Sequence, residues 1–594
     1  MKKIAVGVLA FAVWIVINLS IGWIFGGYNW DITSSRNYTL DKASEETVLR
    51  LDKPVSFRLF VSDKLDSYNV ESYNYAAYVT AILSQYQKIN PQKIHFEIIR
   101  VKDWAPEAKQ AEKAGIKAVP YENTHIYFGL QISSDGHQYR IAELIPGRRP
   151  YFENDINRIL RRFITEEKYT VGIVSPEIPL LTKSNRQKLW SLFDELAMDY
   201  KFVHVSEDAP YIPQEIKVLL VLAPNQLPPL FVYALDQYLM RGGKLVVFVD
   251  PYSEVSHFYR GYPPLGNSNI RKFLEEWGII YDYNRIVGSF SGALKVSGGI
   301  HYPLWFFTSG QGYKRLHFRT AGSLAIEAKD GLKYEVLLSS PEDAGTINAG
   351  LLRYASKKEA AKQFKGQNQS YNLAVKVSGE FISGYTHGYF DGTEYEKDIP
   401  PFFFVSQPDA SLTVIADSDF VSDDSWAVSG DESNPVYGAE PYADNAEFIL
   451  KLIDSLITEG EDNAIPVAYP KYSDEATIAQ YIAEPLIAAS EQQREELTVK
   501  HNKLRRQIAE IKDLMFGADA GSSLQYRRQI DELEQQDKES LSDLDYLERL
   551  LNYQTEIVIN RLLWLNIIVY PLSLLMLISG FCFLLRRVNL RRNK

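Results

Sequence analysis

The residues best placed to do chemistry lie just past two apolar runs. Leu412–Ala416 is followed by Asp417-Ser418-Asp419-Phe420, with Asp423 and Asp424 close behind, and Leu245–Val249 is followed by Asp250-Pro251. Carboxylates at the end of a sheet strand can hold Mg²⁺ or Ca²⁺ through oxygen ligands. In open α/β sheets, ligands gather at the carboxyl ends of the strands. The same residue types also cap helices and close turns, and Pro251 beside Asp250 favours a turn there. Asp250, Asp417 and Asp419 are therefore the candidate ligand-site residues, with the cap-and-turn reading kept beside them. No catalytic, cofactor-binding or metal-ligating set is assigned.

Other chemistries find little support. Arg241-Gly242-Gly243-Lys244 is only partly like a phosphate-binding P-loop: Tyr238 stands where the first glycine belongs and Leu245 replaces the Ser/Thr. The two glycines read instead as a helix stop. There is no G-x-S-x-G elbow, no H-E-x-x-H pair and no EF-hand loop. The nine histidines are scattered without metal-ligand spacing, and the one cysteine, Cys582, sits in a C-terminal apolar run. The rest of the chain thus has no thiol nucleophile and no disulfide, and no cofactor is expected.

The elements that must carry the carboxylates follow from periodicity. Val171–Val174, Val218–Ala223, Leu245–Val249 and Leu412–Ala416 are apolar runs of the kind covered on both faces of a parallel sheet. Helices at Asn185–Ala197, Leu230–Arg241 and Asn445–Ile457 alternate with them, each with one apolar stripe. The Leu412 strand and Asn445 helix are expected to complete the sheet begun at Thr170. Between them, from about Ile286 to Phe404, short Gly- and Tyr-rich strands read as a β-rich insertion. Upstream, the order Val55–Val61 strand, Tyr73–Tyr86 helix, Ile94–Val101 strand, Ala108–Gly115 helix and a hairpin around Ser134-Asp135-Gly136 resembles a thioredoxin-like domain without its C-x-x-C. A connecting helix is read at Phe152–Ile164. Downstream, Leu497, Leu504 and Ile511 at a, with His501, Ile508 and Met515 at d, mark a coiled-coil helix. It turns at Gly517–Ser523 and returns along Arg527–Gln554 as a hairpin.

With 46% hydrophobic and 23% charged residues, the 594-residue chain is far from the composition of disorder. Ile4–Phe25 and Leu562–Leu585 contain no charged residue, and each run is long enough, at about 1.5 Å per residue, to cross a hydrocarbon core of about 30 Å. Lys2 and Lys3 precede the first; Arg586, Arg587, Arg591, Arg592 and Lys594 follow the second. The positive-inside rule then puts both termini in the cytoplasm and the body outside it. Seven of the 64 basic residues lie at these ends, which leaves 57 against 75 acidic ones and a net charge of −18 for the body. Such a body is a poor binder of nucleic acid.

The combination of segments resembles the GldG-like family of ABC-transporter auxiliary proteins. The stretches that carry the likeness are Tyr38-Thr39-Leu40, Lys53-Pro54-Val55-Ser56-Phe57, Leu235-Asp236-Gln237-Tyr238 through Asp250-Pro251, Ala374-Val375-Lys376-Val377-Ser378-Gly379, Ile415-Ala416-Asp417-Ser418-Asp419-Phe420 and Asn445-Ala446-Glu447-Phe448-Ile449-Leu450. The coiled hairpin that leads to Asn566 and Pro571 belongs with them. The resemblance implies a non-catalytic partner of a permease and an ATPase encoded separately, in a family linked in some bacteria to gliding motility. The middle unit also resembles class I amidotransferase folds, without their cysteine. The expected fold class is an α/β multidomain ectodomain with an α-helical coiled-coil hairpin and two transmembrane helices. The expected parts are a transmembrane helix at 1–27, the thioredoxin-like unit at 28–166, a flavodoxin- or amidotransferase-like parallel-sheet unit at 167–465 with its β-rich insertion at about 286–404, the hairpin at 466–556, and a second transmembrane helix with a basic tail at 557–594. An extracytoplasmic scaffold that binds an envelope protein or polymer is the alternative function, and a hydrolase using Asp250 or the Asp417 cluster is a third.

Overall fold

The structure, a computed structural model, describes residues 38–102, 104–165, 168–176, 191–256, 270–296, 300–388, 401–428, 440–459 and 468–471, with scattered positions from 497 to 538. The chain divides into two compact units, one of residues 38–471 and one of residues 1–37 with 472–594.

The larger unit begins with helix α1 (Lys42–Leu49), whose N-cap Asp41 accepts the Ala43 N–H at 2.8 Å. Strand β1 (Val55–Ser62), helix α2 (Val70–Ile89), strand β2 (Ile94–Val101), helix α3 (Pro106–Lys113) and the hairpin β3 (Phe128–Ser134) and β4 (His137–Ile141) follow. They form a sheet of order β2-β1-β3-β4, in which β1 and β2 run parallel and the other pairs antiparallel. The hairpin turns through Asp135 and Gly136, both at positive φ (46° and 82°), which matches the twist of the two strands. Val55, Phe57, Leu59 and Val61 face the α2 core, while Phe60 enters a second cluster with Ala111 and Ile116. Strict alternation along β1 accounts for the first set and misses Phe60.

Helix α4 (Phe152–Ile164) leads into the second part: β5 (Thr170–Val174), α5 (Ser191–Leu196), β6 (Lys201–His204), β7 (Ile216–Leu222), α6 (Pro229–Met240), β8 (Lys244–Phe248), α7 (Ile270–Glu276) and β9 (Ile279–Tyr281). A meander of β10 (Ala293–Val296), β11 (Ile300–Gly310) and β12 (Tyr313–Arg319) forms its own sheet. Then come β13 (Leu324–Ile326), β14 (Leu332–Ser339), β15 (Asn372–Gly379), β16 (Ser411–Ile415) and α8 (Asn445–Thr458). The main sheet runs β9-β13-β15-β16-β8-β7-β5-β6, with β14 also on β15. From β16 to β6 the pairs are parallel; β15 joins β16 antiparallel and carries β13 and β14.

This corrects the expected fold class in two respects. The second part of the larger unit, expected as a parallel sheet, is a mixed one, because β9 and, from the expected β-rich insertion, β13, β14 and β15 extend it, while the β10–β12 meander of that stretch keeps a sheet of its own. The physical reason lies in β16, which is buried at every position. A strand covered on both faces needs both hydrogen-bonding edges filled, and β15 fills the edge that β8 leaves. The second correction concerns the two transmembrane helices: no helix among the described residues is long and apolar enough to cross a membrane. Even α2, 20 residues long, is interrupted by polar side chains. The stretches 4–25 and 562–585 lie outside the described residues. Most of the expected hairpin lies outside them as well; its described positions from 497 to 538 are helical, with Leu504, Ile508 and Ile530 buried.

Helix α6, read as having one apolar stripe, and α4, read as a connecting helix, both bury their polar faces too. On α6, the Asp236 carboxylate accepts from Ser383 Oγ (2.8 Å) and Gly384 N (3.0 Å), and Gln237 exchanges hydrogen bonds with the Phe403 backbone (2.8 and 3.1 Å). On α4, Phe152, Ile156, Ile159 and Leu160 enter the first core, while the opposite side makes ionic contacts with α5 and α8. Arg148 bridges Asp155 (3.0 Å) and Glu195, Arg158 binds Asp199 (2.8 Å), Arg161 binds Asp454 (2.5 Å), and Asn154 donates to Glu447. Burial outweighs the neighbouring guanidinium groups and lifts Asp155 to about 6 and Glu447 to about 8.

Glu447 thus keeps a proton when folded that it loses when unfolded at neutral pH. Its stabilising contribution is complete below its unfolded value of 4.5 and is lost as pH rises through about 8. In thermal melts from pH 5 to 9, Glu447→Gln should progressively gain on the wild type as pH rises. A constant difference across that range would contradict the assignment.

Candidate functional site

Register brings the three candidate aspartates together. Strands β8 and β16 pair in parallel with Phe248 opposite Ile415, so Asp250 and Asp417, each two residues further on, emerge side by side. Asp419 follows in a short 3₁₀ turn, Asp419–Val421. All three are buried; Asp417 and Asp419 have no exposed surface. The sequence offered them as two separate candidates at separate strand ends, and the fold makes them one cluster.

Every oxygen of the cluster has a donor. Asp250 Oδ1 accepts from Tyr252 N (2.7 Å) and Oδ2 from Ser418 Oγ (3.0 Å). Asp417 Oδ1 accepts from Asp419 N (2.8 Å) and Oδ2 from Arg319 N (2.7 Å). Asp419 Oδ1 accepts from Ser253 Oγ (2.7 Å) and Val255 N (3.3 Å), and Oδ2 from Glu254 N (2.6 Å). Three segments are fastened by these bonds: the loop after β8, the loop after β16 and the end of β12. The burial and the mutual repulsion of the carboxylates raise Asp250 and Asp417 well above the usual range, and burial lifts Asp419 to about 6 against the pull of Arg319. The trio therefore carries fewer than three negative charges near neutrality.

Arg319 is the cation of the site. It is buried, pairs with Glu254 (2.7 Å) and lies 4.2 Å from the centroid of the Trp305 ring, while Trp305 Nε1 donates to Glu254 (2.9 Å). The Lys357 ammonium lies 3.4 Å from the same centroid. Asp423 and Asp424 stand apart from the trio, in the first turn of the short helix Asp423–Trp426; exposed Asp424 lies 3.7 Å from Arg319. His317, which sequence spacing did not single out, is buried with Nδ1 3.0 Å from the Ser425 carbonyl and 3.1 Å from Tyr442 Oη. Burial drives its pKa down to about 3, so it stays neutral.

Chemically, this arrangement fastens loops. Its carboxylates are enclosed and fully hydrogen-bonded, and among the described residues no His, Cys, Asp or Glu group is arranged to hold a metal ion. The partial P-loop likeness also fails on geometry: Gly242, at φ +87°, ends helix α6, and Lys244 opens β8. A P-loop runs from strand to helix, and this turn runs from helix to strand.

Asp419→Ala strips the acceptor from Ser253 Oγ, Glu254 N and Val255 N. At about 1–3 kcal/mol for a buried donor left unpaired, and with partial relaxation, urea unfolding should show a loss of about 2–4 kcal/mol. Millimolar Ca²⁺ should leave the wild-type midpoint unmoved. A Ca²⁺-dependent rise that Asp417→Ala abolishes would contradict a purely fastening role.

Comparison with known proteins bears on this second part of the chain. A family model described as an ABC-type uncharacterized transport system matches residues 168–452, and a domain of unknown function matches residues 34–133. No curated protein matches. Among solved structures, the mmIFT52 N-terminal domain is similar at 13% identity and TM-score 0.28, covering 49% of this chain and 97% of that one. An exo-beta-1,4-mannosidase from Opitutaceae bacterium strain TAV5 (10% identity, TM-score 0.18) and a beta-galactosidase from Bacillus circulans sp. alkalophilus (10%, 0.22) cover 60% and 66% of this chain. The matches span 46% and 56% of those two enzymes. Likenesses this loose carry no argument about activity. The sheet that holds the aspartate cluster lies within the matched stretch, so it is over residues 168–452 that the chain is similar to the family described as an ABC-type uncharacterized transport system.

Proposed function

We propose that this chain is a non-catalytic auxiliary subunit of an ABC-type transport system. In this reading its folded body lies on the extracytoplasmic side and engages the transported substrate or an envelope partner. A separately encoded permease and ATPase perform transport and nucleotide hydrolysis.

The observation that carries the reading is the closed carboxyl edge of the family-matched sheet. Open α/β enzymes place their reacting groups in the crevice beyond this edge. Here Asp250, Asp417 and Asp419 are enclosed and bonded to the chain's own amides and hydroxyls. A subunit that binds and positions rather than reacts has no need of free carboxylates there. The buried ionic joint along α4 suits the same task, since it couples the first sheet to the second.

Affinity purification of the full-length chain from its native cells in mild detergent tests the assignment. Recovery of an ABC permease and an ATPase is the expected result, unchanged in Asp250→Asn. Repeated recovery of neither would overturn it, as would a reporter inserted in the exposed Gly366–Gln369 loop that is active only in the cytoplasm.

A further inference from the structure

The same parallel strands have a second end, and there the electrostatics reverse. A cleft of about 600 Å³ opens at the amino-terminal edge of the main sheet, lined by Lys217 of β7, Lys244 of β8, Arg241 and Tyr238 at the end of α6, Asp409 before β16, and Glu459 after α8. From Lys244 to Asp250 is six residues, so at roughly 3.3 Å per residue this cleft lies about 20 Å from the aspartate cluster. Its volume falls in the range of small-molecule sites, about 300–1,000 Å³.

The cations of the cleft are held by carbonyls rather than by direct ion pairs. Lys244 donates to the Asp409 carbonyl, and Arg241 donates to the carbonyls of Ile212 (2.9 Å) and Gln237 (3.2 Å). Arg241 Nη1 is buried with no hydrogen-bond partner. Among the described residues, no carboxylate forms an ion pair with Lys217, Arg241 or Lys244. Of the two acids in the lining, Glu459 is already bonded to Lys376 at 3.0 Å. Burial lowers the pKa of both Arg241 and Lys244, and for Lys244 the more distant Glu459 and Asp409 carboxylates offset that only in part; an anion bound in the cleft would push in the same direction as those carboxylates. The wall is firm: Tyr238 Oη donates to the Lys217 carbonyl (3.2 Å), and a side chain at Gly243 would collide with Tyr238 at 2.5 Å.

We propose that this cleft is a binding site for a small oxyanion-bearing solute, whose carboxylate or phosphate group is held by Lys217, Arg241 and Lys244. The site is a property of the isolated chain and does not rest on the transporter assignment.

Isothermal titration of the full-length protein with citrate and with inorganic phosphate, at an ionic strength held constant with NaCl, tests it. Saturable binding of at least one is expected, and the one that binds separates a carboxylate from a phosphate ligand. Lys217 is exposed, so Lys217→Glu should melt as the wild type does and should weaken binding at least tenfold, about what one charge-assisted contact is worth. Lys244→Gln should weaken it as well. Absence of saturable binding of both anions, or equal affinity in wild type and Lys217→Glu, would overturn the proposal.

Discussion

Parallel pairing of β8 with β16 is the constraint from which the rest of the molecule follows. Once Lys244 lies opposite Ser411 and Phe248 opposite Ile415, Asp250 and Asp417 are forced into adjacent positions at one end of the strands. Like charges brought together away from water are costly unless they are hydrogen-bonded or protonated. The fold does both. Amides and hydroxyls from three segments converge on the carboxylates, and the raised pKa values reduce the charge. A sheet edge that could have been a reaction crevice becomes a fastening point, and the loops after β8 and β16 are held in one arrangement.

The same economy appears where the two sheets meet. Helix α4 belongs to the first core by its apolar side and to the second by its ionic side, so the two parts share one element instead of a linker. Buried ion pairs add little net stability over apolar contacts, but losing one partner is costly. The arrangement therefore favours a fixed relative placement of the two sheets. Such rigidity suits a subunit that presents a surface to other components.

Much of this was legible in the sequence, and what was not has a physical explanation. The apolar runs of β7, β8 and β16 marked buried strands, Phe152–Ile164 marked a helix with those bounds, and the glycine after α6 marked its stop. Periodicity reports which face of an element is apolar; it does not report what covers the other face. The polar side of α4 is buried by Glu447 and Asp454, nearly 300 positions away, and Asp236 of α6 by Ser383. Nothing local announces those partners. In the same way, β15 looked like part of an insertion because strand pairing is set by which edge is left open, a property of the assembled sheet. The aspartates were recognisable one by one, but their union, across 168 positions between Asp250 and Ser418, was not.

The central claim is that the carboxyl edge of the sheet works by holding structure and performs no chemistry. Complementation of a strain lacking this gene tests it most directly. Asp250→Asn and Asp419→Asn preserve shape and most hydrogen bonds while removing the capacity to act as base or nucleophile. Variants that melt like the wild type should restore the transport phenotype fully; a variant that folds normally yet fails to restore it would contradict the account.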